Sequence, residues 1–237
     1  MDKIPFSVYD FFGYLATGAL LLLAVDFAFG GVGLLGEPLG VVMGLFWILV
    51  AYVLGHIVSH IASSLMEDVI LREGLGSPEY HLFGVKKAGG WARLFPGNFR
   101  PFSQTIQDRV LAKAKRLNVP APGDGFFAHC HTLAKGDQVT QERLNTFLNL
   151  YGFCRNMSMG LLLAVPLLLY GAFRGVDWET FGVIRRDRLL WAGLALAASI
   201  GMFYRYLKFF RHYAMEVFRT YSELPDPQQG QGRAQVP

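Results

Sequence analysis

The stretch DQVTQERLNTFLNLYGFCRNMSMGLLLAVPLLLYGAF, Asp137 to Phe173, begins as a soluble amphipathic helix and ends as a membrane span. Leu144, Phe147, Leu148 and Tyr151 fall at i, i+3, i+4 and i+7, the spacing of one buried helical face. Gln138, Gln141, Glu142, Arg143 and Asn145 keep the opposite face polar. After Arg155 the polarity stops, and residues 156–173 carry no charge. No glycine–proline pair interrupts the transition, which predicts a single helix of 37 residues. At ~1.5 Å per residue it is about 55 Å long, and a hydrocarbon core of about 30 Å covers only its second half. The first half must stand in water and pack on something.

The rest of the 237-residue chain repeats this pattern. Charged residues make up 17% and mean hydropathy is +0.31, against roughly 25% charged in an average globular chain. The deficit is local. Residues 11–25, 39–64, 156–173 and 189–204 hold no Asp, Glu, Lys or Arg, which predicts four spans. Span 1 covers residues 7–29, and a glycine-rich turn ending in Pro38 precedes span 2. Span 2 projects past the membrane toward Glu67 and Arg72. Span 4 continues into a helix bearing Tyr206, Phe209, Phe210, Tyr213, Val217 and Tyr221 at helical spacing. An interfacial helix lying on headgroups is the competing reading of that segment. Residues 73–136 form a polar insert with two short helices, Ser103 to Leu117 and Gly125 to Lys135, and residues 225–237 read as a disordered tail by composition. The expected fold is therefore an all-α membrane protein: four transmembrane helices with helical cytoplasmic extensions and a small cytoplasmic domain. Its segments are 1–72, 73–136, 137–224 and 225–237.

Positive charge orients the chain. Residues 72–155 hold 12 Lys and Arg against six Asp and Glu, while the turn at 30–38 holds neither Lys nor Arg. Both termini and the insert are expected in the cytoplasm of a bacterial inner membrane. Arg185, Arg186 and Arg188, on the other side, run against the trend. The N-terminus makes a poor signal peptide, because Asp10 enters the apolar run and no A-x-A site follows. Cys130 and Cys154 fall in the segment assigned to the cytosol, so no disulfide is expected.

Two sets of residues stand out. Small residues recur every fourth position at Gly36, Gly40 and Gly44, followed by Ala51 and Gly55, and again at Gly193, Ala197 and Gly201; such stripes let helices approach closely in lipid. Ionisable groups at similar depth form an inner polar belt of Asp10, His56, His60, Arg155 and Arg205, in which Asp10 is expected to pair with Arg155 or Arg205. The belt reads either as ion pairs holding the spans together or as the mouth of an ion path. Asp26, near the outer end of span 1, either snorkels or faces a water-filled lumen. His56 and His60 have a metal-compatible i, i+4 spacing, with Asp10 and Cys154 as the further ligands zinc would need, and His129-Cys130-His131 forms a second cluster; no metal or cofactor is assigned to either. Hydrolase, nucleotide-binding and zinc-protease motifs are absent, so no catalytic residue is named.

The blocks PFSVYDFFGYLATG at Pro5–Gly18 and FLNLYGFCRN at Phe147–Asn156 resemble segments of small uncharacterised bacterial multi-pass membrane proteins, some of which accompany anti-phage systems as membrane effectors. The resemblance covers about a tenth of the chain and carries no site residue. With the stripes and the belt, it sets the leading expectation: an oligomeric pore or membrane-perturbing effector, a homo-oligomer in contact with membrane lipid, with a role in antiviral defence. The alternative is a membrane anchor or scaffold whose cytoplasmic domain recruits a soluble partner. A basic loop is expected from orientation alone, so nucleic acid is not assigned as a partner.

Overall fold

Each charge-free run becomes a helix, as it must where no water satisfies the backbone. The structure, a computed structural model, describes residues 8–29, 40–67, 75–76, 78–85, 90–122, 125–174 and 185–226, and all side chains among these except those of 8–10, 91 and 92. The helices are α1 (Val8–Phe29), α2 (Val41–Ala62), α3 (Pro78–Leu82), α4 (Gln104–Arg116), α5 (Phe126–Ala134), α6 (Gln138–Phe173) and α7 (Arg186–Glu223). No strand occurs among the described residues. Four helices are long and apolar enough to cross a membrane, those of α1, α2, α6 and α7. The long helix expected from Asp137 is present as the 36 residues of α6, with Pro166 inside it. Span 4 continues unbroken through Glu223.

The chain divides into two compact units, residues 1–70 with 149–206 and residues 71–148 with 207–237. In the first, α1 lies against both α2 and α6. Its contact with α2 is backbone on backbone: a Cβ on Gly18 would come within 1.7 Å of the Ala51 carbonyl oxygen, and one on Gly55 within 1.9 Å of the Tyr14 carbonyl oxygen. Only glycine fits at either position. Toward α6, Thr17 packs on Gly160, Ala28 on Gly171, and the ring of Phe153 on Gly13. The α6–α7 contact is held by a reciprocal pair: Ser158 Oγ donates to the Ser199 carbonyl at 2.9 Å, and Ser199 Oγ to the Ser158 carbonyl at 2.8 Å. Both serines are buried, and hydroxyls in hydrocarbon are costly unless bonded in this way.

The second unit has an aromatic core centred on Phe218, which is fully buried. The rings of Phe83, Phe126, Phe127 and Phe102 surround it at centroid distances of 4.9, 5.5, 5.7 and 6.4 Å. Tyr213, Val217 and Tyr221 of α7 are buried in the same core, together with Val110 and Ala114 of α4 and Leu144 of α6. The aromatic face of α7 is thus packed against protein. Both short helices expected in the insert form, as α4 and α5. Asp137 caps α6, its Oδ2 accepting from the Thr140 N–H at 2.9 Å and the Thr140 hydroxyl at 2.6 Å. These bonds favour the charged form and hold the Asp137 carboxyl below its ordinary value. The cap is therefore complete above the ordinary carboxylate range and is lost only as pH falls through that lowered value.

Lys113 has a less expected place. Its side chain is 2% exposed, and Nζ donates to the carbonyls of Tyr221, at 2.6 Å, and Leu224, capping the end of α7. Burial lowers its pKa, and Asp226, 4.0 Å away, acts in the opposite sense. The ammonium also sits 4.9 Å from the Tyr221 ring centroid.

Gly55→Ala should destabilise the detergent-solubilised protein by about 1–3 kcal/mol in a thermal melt, as overpacking does. Gly193→Ala, whose Cβ meets nothing within 4 Å, should leave the melt unchanged or raise it slightly. Lys113→Met keeps the apolar stem but strands two carbonyls, and should cost about 2–3 kcal/mol in the same measurement.

Candidate functional site

The densest polar cluster of the first unit surrounds Arg155, at the charged edge of the apolar part of α6. Arg155 and Arg174 stand 19 residues apart on this helix, about 29 Å at ~1.5 Å per residue, so they bracket a hydrocarbon core. Nη1 of Arg155 donates to the Glu67 carboxylate. Nη2 donates to Ser59 Oγ at 3.2 Å, and Nε and Nη2 both reach Asn156 Oδ1 at 3.2 Å. All three guanidinium nitrogens are therefore used, and Glu67 and Ser59 tie α2 and its extension to α6. Glu67 follows α2 in a π-helical turn over 63–67. The Arg155 side chain is 13% exposed and that of Glu67 34%, so the pair is partly wet. Arg205 of α7 lies beside Cys154, the residue before Arg155, and the rings of Tyr151, one turn earlier on α6, and Tyr206 lie 6.0 Å apart.

This cluster differs from the expected belt. Arg155 takes Glu67 as an acid partner, and the Asp10 side chain, on which the expected pairing with Arg155 or Arg205 rests, lies outside the described residues. His56 belongs to an aromatic group instead, stacked on Tyr14 at 4.0 Å and edge-on to Tyr52 at 4.7 Å. His60 is exposed, so the two histidines do not share one environment. Among the described residues no group of three His, Cys, Asp or Glu side chains stands close enough to hold a metal. The His129-Cys130-His131 run is divided between different surroundings. Cys130 is fully buried and its thiol pushed up to about 12 by that burial. His131 Nε2 shares a hydrogen bond of 2.7 Å with the Tyr213 hydroxyl, and burial, then Lys135, lower its pKa. A neutral thiol and a neutral imidazole bonded to phenol make no nucleophile.

The small-residue stripes face outward. Gly40, Gly44, Gly193 and Gly201 have nothing within 4 Å of a Cβ position, and Ala197 is exposed; Gly36 lies outside the described residues. Close packing inside the chain falls on Ala51 and Gly55, at the far end of the span 2 series, and on Gly18. Asp26 is buried in the bundle at 5% exposure. Arg188, contrary in sign to the loop pattern, has a structural role: Nη1 donates to the Gly171 carbonyl at 2.6 Å, near the C-terminus of α6, where a cation is favoured. Its guanidinium also lies 5.8 Å from the Phe27 ring.

What unites the first unit is a division of polarity. Thr17, Asp26, Ser59, Asn156, Ser158 and Ser199 are all buried. Apart from His60, the exposed side chains of α2 are apolar, Val41, Leu45, Phe46, Leu49, Val53 and Ile57 among them, and those of α7 are equally apolar between Leu190 and Ile200. Apolar side chains thus face outward and the buried serines bond within the bundle. No protein-family model matches the chain, and no curated protein or solved structure is detectably similar to it.

The Arg155–Glu67 contact predicts a measurable coupling. Glu67→Gln should cost about 1 kcal/mol, discounted for its partial exposure, and Arg155→Ala about 3 kcal/mol, because three acceptors lose their donor. The double variant should lose less than the two together by ~0.5–3 kcal/mol in thermal melts, whereas two independent residues would add.

Proposed function

We propose that this protein is a membrane scaffold. On this reading the four-helix bundle anchors it in a bacterial inner membrane and displays the Phe218-centred helical unit in the cytoplasm, where that unit recruits a soluble partner. The single observation that carries the reading is the inward turn of the polar side chains. With Thr17, Asp26, Ser59, Asn156, Ser158 and Ser199 inside and aliphatic or aromatic residues outside, copies placed side by side would line any gap between them with apolar surface. Water and ions cross such a gap poorly. The bundle interior is filled by backbone contact at Gly18 and Gly55 and by the bonded serine pair.

One observation favours a second reading, an oligomeric membrane effector of the kind that serves antiviral defence. The open stripes Gly40/Gly44 and Gly193/Ala197/Gly201 would let further copies approach closely in lipid. Self-association through them is compatible with either reading, so ion movement decides between the two.

Purified protein in liposomes should hold an imposed potassium gradient as well as empty liposomes do. In cells, a photo-crosslinking residue at Lys115, exposed on α4, should trap a soluble protein. Gradient collapse that Gly40→Leu or Ala197→Leu abolishes would establish the pore and overturn the scaffold.

A further inference from the structure

Between the buried polar groups and the apolar outer face of the first unit lies a patch that belongs to neither. It joins α1 to α2 through four rings. Tyr14 stacks on His56 at a centroid distance of 4.0 Å, Tyr52 meets His56 edge-on at 4.7 Å, and Phe11 lies 5.3 Å from Tyr52. Tyr14, Tyr52 and His56 are half-buried, and Phe11 is 42% exposed. As apolar surfaces the rings cover one another, but their polar tips are left over. Among the described residues, nothing hydrogen-bonds the hydroxyls of Tyr14 and Tyr52 or the ring nitrogens of His56.

Contacts within this one unit give the depth of the patch. Gly40, the N-cap of α2, and His60 are 20 residues apart, about 30 Å, the thickness of a hydrocarbon core. Ser59 marks the same edge, since its hydroxyl accepts from Arg155. His56 stands three residues inside Ser59 and Tyr52 seven, about 4–5 Å and about 10 Å deep. Tyr14 is level with Gly55, whose Cβ position falls 1.9 Å from the Tyr14 carbonyl oxygen. Lipid phosphates lie outside the hydrocarbon, and a phenol or imidazole without a partner inside it is costly. The missing acceptor therefore arrives on a molecule dissolved in the membrane. That molecule is neutral there, because residues 11–25 and 39–66 hold no Asp, Glu, Lys or Arg to meet a charge.

We propose that this patch between α1 and α2 binds an isoprenoid quinone. Its two carbonyl oxygens accept from the phenols and from a His56 N–H. Its flat ring lies against the open face of Phe11, as aromatic rings favour. Its tail runs along Val53 and Ile57, which are exposed on the same stretch of α2. The site stands apart from the scaffold reading, which it neither needs nor supports.

The test irradiates full-length protein in phosphatidylcholine nanodiscs with an azido-substituted ubiquinone and locates the label by mass spectrometry. Label should fall within residues 11–14 or 52–57. An excess of ubiquinone without the azide should suppress it, and an equal excess of hexadecanol should not. Tyr52→Phe and His56→Phe keep a ring at each position and remove the polar tip. Each should cut labelling about fivefold, while the melting temperature without quinone holds or rises, since a costly unpartnered group is gone. Suppression by hexadecanol equal to that by ubiquinone would overturn the proposal, leaving only an apolar surface. Labelling unchanged in both variants would overturn it as well. So would a lower melting temperature of both variants without quinone, because the tips would then be bonded by protein, a second copy included.

Discussion

Inside a bilayer no water is released when two helices meet, so spans associate only through close contact and bonded polar groups. The first unit obeys that constraint at each contact. Where α1 meets α2, the glycines at 18 and 55 remove every atom between two backbones. Where α1 meets α6, Thr17 and Ala28 fill the notches at Gly160 and Gly171. Where α6 meets α7, two serines exchange hydroxyl bonds with each other's carbonyls. Where the spans reach water, Arg155 and Arg188 spend their donors on acceptors supplied by neighbouring segments. Polarity is thereby drawn into the bundle, and what remains outside suits lipid.

Local periodicity made much of this architecture legible. The amphipathic pattern before Arg155 and the uniformly apolar one after it were read as one helix, because no glycine–proline pair interrupts the chain between them. The spacing of aromatic residues after Tyr206 was equally informative, although Phe218, the residue at the centre of the core, escaped notice. What periodicity cannot supply is the partner. A stripe such as Gly40 and Gly44 advertises a capacity for close approach without saying to what, and the contact within the chain falls instead on Ala51 and Gly55. Glu67 appeared only as the polar end of a helix, since its bond to Arg155 joins positions 88 residues apart. Lys113 is the plainest case. Four basic residues on α4 look alike in sequence, and the carbonyls that draw one of them inside lie more than a hundred residues away.

The second unit is built on different physics. Apolar burial dominates it, and its core is dense in phenylalanine and tyrosine in edge-on and tilted arrangements. Polar groups serve it chiefly at helix ends: Asp137 begins α6, Lys113 finishes α7, and Arg143 meets Glu216 at 3.2 Å on the exposed side. These are contacts that hold ends and register, while the aromatic cluster forms the core.

The reciprocal serine bond between α6 and α7 bears on how the chain enters the membrane. Each serine satisfies the other, so either helix alone would carry into hydrocarbon a hydroxyl lacking its interhelical partner. The two close only in one register, and sliding one helix by a single residue opens both bonds together. Insertion as a preformed hairpin avoids that exposure. The order of biogenesis it favours is α6 waiting at the translocation channel until α7 has emerged, with release of the two into lipid as one body.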